Sequence, residues 1–292
     1  MAKKKNSLDR MMAFDYVNYF ILLLFMLIIV IPFYHTVIKS FFSQQEYMMN
    51  PTAFFPQNPT LANYRDIFNE GSIFGAFGNS ILITVAGTAY SMFITTTMAY
   101  ALSRRGYPGR AFFQNLVIVP MYFGGGLIPF FLTVKGIGFI NTYLSVIIAI
   151  GYSAFNLIIM RTFFEQLPQD LEEAAIIDGA SMYRVFWQIT LPLAKPALAT
   201  ITLFFAVGRW NEWFYSSLFL TNKQWPLQVF LRQILWSTSS FAGNIPLEAG
   251  RQTFSEGIKA ASVVVSMVPI MMVYPFLQKY FVKGVMVGAI KS

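Results

Sequence analysis

The chain has 292 residues, of which 56% are hydrophobic, 17% aromatic and only 12% charged, about half the charge share of an ordinary soluble domain. No cysteine and a single histidine exclude disulfide frameworks, thiol nucleophiles and multi-histidine zinc centres. The net charge of +8 comes from basic residues dispersed between apolar runs, which fits membrane orientation and not nucleic-acid binding.

Lys3, Lys4, Lys5 and Arg10 precede an apolar stretch that is too long for a signal peptide and has no small-x-small cleavage site, so it reads as a retained first span. Windows apolar enough to cross a bilayer fall at about 17–38, 77–102, 111–133, 143–163, 197–220 and 259–281. Pro32, the Gly124-Gly125-Gly126 run with Pro129, and Pro269 with Pro275 are tolerable in spans whose neighbours satisfy the freed backbone groups. The Gly124–Pro129 stretch reads as a kink in preference to a true unwinding. Segments 1–16, 103–110, 161–196 and 279–292 hold 13 Lys and Arg in 74 residues, against 7 in 86 for 39–76, 134–142 and 221–259. The richer set is expected inside, with both termini cytoplasmic. The expected fold is all-α and integral to the membrane, a single transmembrane domain over 1–292 with six spans.

Segment 165–196 is too polar to span and too patterned for a slack linker. Asp170 is expected to cap a short helix with Glu173 reaching back, just after Pro168. Gly179 stands where a left-handed residue would end that helix. Ser181 can cap a second helix, with Met182, Val185, Phe186 and Ile189 on one face, which Pro192 should end before Pro196 opens the next span. A helix-turn-helix along the cytoplasmic face results.

In that segment Glu173-Ala174-Ala175, three residues, Gly179, nine residues, Ile189, one residue, then Leu191-Pro192 resembles without a gap the EAA motif of permeases of binding-protein-dependent ABC importers. Asp178 and Ala180 beside the glycine, Trp210-Asn211-Glu212, and the YPFLQKYFVKG run from Tyr274 to Gly284 are similar to the carbohydrate branch, in particular to permeases for complex oligosaccharides and lipo-oligosaccharide-type substrates, which include an alginate importer. The resemblance covers the chain from about residue 70 onward, and the first span more loosely. It implies a type I importer permease in the bacterial cytoplasmic membrane, with coupling helices between spans 4 and 5. Glu173, Ala174, Ala175, Asp178, Gly179, Ala180, Phe186, Ile189, Leu191 and Pro192 would then contact the ATPase. The implied partners are a second homologous permease, two ATP-hydrolysing subunits that bind ATP and Mg, an extracytoplasmic solute-binding protein, the lipid bilayer and an oligosaccharide. The chain lacks a G-x-x-x-x-G-K-[ST] run, so no cofactor is expected in it and it is not expected to be an enzyme.

In the fifth span Arg209 lies about 18 Å from Ala197, near mid-bilayer, where ionisable groups face a bundle interior or a cavity. Arg209 and Glu212 are three residues apart and are expected to neutralise each other. With Trp210, Asn211 and Trp213 they read either as a sugar path, with indoles stacking on rings, or as a structural ion pair. Asn79, Asn156 and Tyr122 are weaker path candidates, and His35 reads as interfacial. The rivals are a permease for a non-sugar solute, or a secondary transporter in which Arg209 or Glu212 carries a coupling ion; such transporters usually have internal repeats, which the sequence does not show. Segment 221–259 is longer than joining two helices requires. Pro226–Trp236 reads as an amphipathic helix lying on the membrane, and Ser239, Asn244 and Glu248 as binding-protein contacts on a polar tip.

Overall fold

The computed structural model describes residues 13–69, 72–104, 106, 108–168, 170–240 and 254–289, and every regular element among them is helical. Among the described residues three helices are long and apolar enough to cross a bilayer: Phe14–Lys39 of α1 (Ala13–Lys39), Ile73–Ser103 of α4 (Ser72–Ser103), and Ser255–Met272 of α15 (Ser255–Ala289). α1 is apolar on every side and buries none of that face within the chain. Such a helix is stable in lipid because its backbone groups are satisfied internally.

The other three apolar windows are interrupted. α5 (Arg110–Tyr122) stops before Phe123, and α6 (Leu127–Gly136) begins after Gly126, whose φ of 83° favours a residue without a β-carbon. The glycine run is therefore an unwinding and not the expected kink, since residues 123–126 leave the helix altogether. α7 (Leu144–Ile147) and α8 (Ala154–Glu165) flank a second break, where the Ser153 hydroxyl accepts the Asn156 N–H at 3.3 Å and caps α8. A β-carbon on Gly151 would run into the Tyr90 ring, so α4 approaches this break closely. α12 (Lys195–Trp210) and α13 (Phe214–Phe219) flank the third, at residues 211–213.

The chain divides into two compact units. In the unit formed by 71–234 and 266–292, α4, α8 and α12 share a core of Ala99, Leu102, Leu157, Met160, Phe164, Ala197, Ile201 and Phe205, with Val117 of α5 beside them. The small alanines let helices approach, which matters in a bilayer because packing contributes more than release of water. A second cluster of Ile83, Val134, Val146, Phe219 and Leu220 joins α4, α6, α7 and α13. The unit formed by 1–70 and 235–265 contains α1, α2 (Gln44–Met49) and α3 (Ala62–Asn69). There Lys39 pairs with Glu256 at 2.7 Å, and the buried Asn63 amide donates to Ser40 O and Phe42 O at 2.9 and 3.0 Å.

Candidate functional site

Between α8 and α12 the chain forms two short helical arms. The first, α9 (Asp170–Ile177), has three acids in its opening turn, Asp170, Glu172 and Glu173, which suit the positive end of the helix dipole. Asp170 is itself the first helical residue and not the expected cap. The helix closes in a Schellman arrangement: Ala180 N–H donates to Ala175 O at 2.9 Å and Gly179 N–H to Ile176 O at 3.0 Å, with Gly179 at φ 85°. Ser181 then caps the second arm, its hydroxyl accepting from Arg184 N–H at 3.4 Å.

That arm is α10 (Met182–Val185), a π-helical turn over Phe186–Thr190, and α11 (Leu191–Leu193). Pro192 does not end it as expected, because the wider π turn carries the Leu191 N–H to Phe186 O and the helix runs on through the proline. The break comes at Ala194, where the path bends by 82° into α12. The buried face also differs from the expected one. Val185, Phe186 and Thr190 are buried and Ile189 half-buried, whereas Met182 faces outward with Tyr183 and Trp187. Glu173, Ala174, Asp178 and Gly179 are exposed, and Ala175, Ala180 and Leu191 partly so. Ile177, 86% exposed, and Tyr183, 82% exposed, lie on either side of the turn. The arms thus present a surface with exposed apolar side chains and three acidic groups, Asp170, Glu173 and Asp178, that this chain leaves uncovered.

The sequence reading missed what holds the arms in place. Glu172, only 7% exposed, accepts from the Arg104 guanidinium at 2.6 Å and from the Thr190 hydroxyl at 2.9 Å. One carboxylate therefore ties the end of α4 to both arms. Arg104 also stacks over Tyr100, 4.3 Å from its centroid. Beside them Arg110 pairs with Glu165, which Arg161 also reaches at 3.5 Å.

The charged residues of the fifth window serve two helix breaks. Arg209, 5% exposed, donates to Val146 O, to Ser91 Oγ at 3.1 Å, and to Ile147 O and Ile150 O at 3.4 and 2.9 Å. It thereby satisfies the carbonyls freed where α7 ends. Gly87 makes room for it, since a β-carbon there would lie 3.1 Å from the guanidinium Nε. Glu212 meets Arg209 only through its backbone, its N–H donating to Arg209 O at 3.3 Å, and the two side chains do not form the direct pair that mutual neutralisation would give. Its carboxylate caps α13, accepting from Tyr215 N–H at 2.8 Å, Ser216 N–H at 2.9 Å and the Ser216 hydroxyl at 2.6 Å. Each charge stabilises its own break, so the sequence spacing of three does not translate into an ion pair.

Both residues still line one cavity of about 650 Å³, with Tyr152, Asn156, Phe130 and Tyr215 among its walls. Trp210 points away from it, packing on Phe77 and donating to Ser266 O at 3.4 Å. Asn211 bonds its own helix at Val207 O, and Trp213 lies under the Arg232 guanidinium at 3.5 Å. Asn79 is a structural bridge from α4 to Tyr143, Lys223 and Trp225. Tyr122 is exposed outside the cavity walls.

α14 (Leu227–Ser240) forms where the amphipathic pattern indicated, and part of its apolar face packs inside the chain. Leu227 and Leu231 are buried, and Leu227 N–H donates to Ser80 Oγ at 2.7 Å. Asn244 and Glu248 lie outside the described residues, as does the side chain of Ser239.

This architecture defines a membrane transport subunit, and residues 98–287 match the family described as binding-protein-dependent transport system inner membrane component. The chain belongs to that family. It is 43% identical over 266 residues to Protein LplC of Bacillus subtilis, covering 91% of this chain and 90% of that one. The polygalacturonan/rhamnogalacturonan transport system permease protein YtcP of the same organism is 42% identical over 281 residues, or 96% and 98% of the two chains. A bacterial ABC transporter involved in the import of the acidic polysaccharide alginate has a chain that superposes with a TM-score of 0.85 at 32% identity, covering 96% of this chain and all of that one.

Proposed function

We propose that the chain works as one of two homologous permeases, carrying an oligosaccharide delivered by an extracytoplasmic binding protein and driven by two separate ATPase subunits that bind ATP and Mg. The observation that carries this reading is the exposed helix-turn-helix, in which the EAA residues are rigidly built yet uncovered by their own chain. Each interrupted pair, α5/α6, α7/α8 and α12/α13, would count as one span beside the three continuous helices, so that 1–292 forms a single six-span domain. Glu173, Ala174, Ala175, Asp178, Gly179, Ala180, Phe186, Ile189, Leu191 and Pro192 would form the coupling surface, with the buried Phe186 supporting it from beneath.

The sugar class rests on the relatives named for polygalacturonan/rhamnogalacturonan and alginate, and on a cavity whose aromatic and amide walls suit sugar rings and hydroxyls. Arg209 and Glu212 border that cavity while shaping it, which favours their structural role over ion coupling. Trp210, Asn211 and Trp213 support the same region. Ser239, Asn244 and Glu248 remain proposed binding-protein contacts.

Reconstitution with the partner permease, ATPases and binding protein provides the test. Oligosaccharide uptake should require ATP and the binding protein and ignore proton and sodium gradients; uptake that follows an ion gradient refutes the reading. Orientation is checked separately, since the chain has no cysteine of its own. A cysteine at Ser239 should react with an impermeant thiol reagent on intact cells and one at Ser181 should not; the reverse pattern inverts the topology.

A further inference from the structure

The chain folds back at the end of α1. The Tyr34 hydroxyl donates to Phe54 O at 2.8 Å, the His35 ring nitrogen Nε2 lies 3.2 Å from Pro51 O, and the Tyr34 and Phe55 rings meet edge to face at 5.9 Å. Tyr34 is about 7.5 Å short of Lys39 along the helix axis at 1.5 Å per residue. Residues 51–55 therefore run alongside the last turn and a half of the span and do not stand beyond its end.

The fold-back is firmly built. Thr60 N–H donates to Phe41 O at 2.8 Å, and the Glu46 carboxylate accepts the N–H groups of Gln57 and Asn58. Ser43 caps α2. Yet its largest apolar side chains point away from the chain: Met49 is 86% exposed and Phe55 69%, with Met48 and Phe54 similar. From Ser40 to Leu61 the only formal charge is Glu46, and those backbone amides hold it.

The level of this face along α1 indicates what covers it. A hydrocarbon core of about 30 Å takes up some 20 helical residues, and α1 exposes apolar side chains from Phe14 to Phe33. Tyr34 then falls at the lipid–water boundary, where Tyr and Trp concentrate. Phe54 and Phe55 sit at that same depth beside a span whose apolar sides this chain leaves uncovered. We propose that the fold-back is a second membrane anchor, with Met48, Met49, Phe54 and Phe55 immersed in the lipid at the Lys39 end of α1. The inference needs α1 to span but not its direction, so an inverted topology or a different solute would leave it standing.

The test uses the assembled transporter in proteoliposomes, with single cysteines at Phe55, Phe54 or Met49 carrying an environment-sensitive fluorophore and one at the exposed Arg65 as control. Insertion to the usual interfacial depth of about 5–10 Å predicts that phosphatidylcholine brominated near the headgroup end of its chains roughly halves the emission at Phe55 and leaves Arg65 unchanged. Three labelled positions guard against one variant failing to assemble. Water-like emission at all three would overturn the proposal. So would a signal that only loaded binding protein shields, which would give the face to that protein. A signal already shielded but insensitive to brominated lipid would give it to the partner permease, with the same consequence.

Discussion

Removing the Arg104 guanidinium should loosen the two helical arms from α4 at a calculable cost. The Glu172 side chain keeps only 9% of its exposure and that of Arg104 17%, so water replaces little of the lost contact. In Arg104→Ala the carboxylate retains the Thr190 hydroxyl alone, and stranding a buried charge in this way costs about 3 kcal/mol. That is roughly a hundredfold shift toward detached arms, at about 1.4 kcal/mol per tenfold. Glu172→Gln keeps a neutral acceptor for both donors and should cost about 1–2 kcal/mol. Arg104→Met combined with Glu172→Leu strands no charge and should recover most of the loss. The assay compares hydrogen exchange over Asp170–Leu193 with ATPase activity of the assembled transporter, with and without loaded binding protein. Exchange should speed up and stimulation collapse in Arg104→Ala. If that variant exchanges and responds like the parent, the arms do not depend on this carboxylate and the reasoning fails.

Gly179→Val finds open space but must adopt φ 85°, a cost of about 1–3 kcal/mol for a β-branched residue; ATPase stimulation by loaded binding protein should fall, and normal stimulation would show that the turn tolerates rearrangement. Gly87→Ala places a β-carbon 3.1 Å from the Arg209 Nε; displacement of the four-acceptor clamp should lower both the melting temperature and uptake, and an unchanged melting temperature would show the clamp to be dispensable. Glu212→Gln weakens the α13 cap by about 1 kcal/mol, so uptake should fall modestly without acquiring sensitivity to the proton gradient; a variant whose uptake loses a former pH dependence would instead mark Glu212 as a proton carrier.

The elements that could be read from sequence are those whose signals lie within a few residues of one another. Gly179 and Ser181 fix the turn between the arms through their own backbone geometry, and both act as the spacing indicated. The apolar windows were legible too, but not their interruptions. The α7/α8 break depends on Arg209, some sixty residues later, supplying donors for carbonyls that would otherwise be stranded, and no local pattern around Ile148–Ser153 announces that rescue. The same distance hid the partner of Glu172, since Arg104 looked like one more charge at the end of a span. Glu212 misled for the opposite reason: a partner at the right spacing was available, but free N–H groups at the start of α13 lay closer to hand. The amphipathic pattern of α14 was visible, whereas the bond that seats its first residue, from Leu227 N–H to Ser80 Oγ of α4, was not.

Arg104, Arg110 and Arg161 are each held by a carboxylate in the finished fold. Under the proposed orientation these same side chains serve earlier, when the nascent chain is threaded into the bilayer and basic residues are retained on the inner side. At that stage no ion pair exists, and only the count of positive charges matters. Each arginine is therefore used twice, first as a topological signal and later as a staple between helix ends. Biogenesis and folding should respond differently to the same substitution. Lysine in place of Arg110 would preserve the threading signal while giving up the forked contacts to Leu102 O and Glu165, so the chain would insert correctly and then pack poorly.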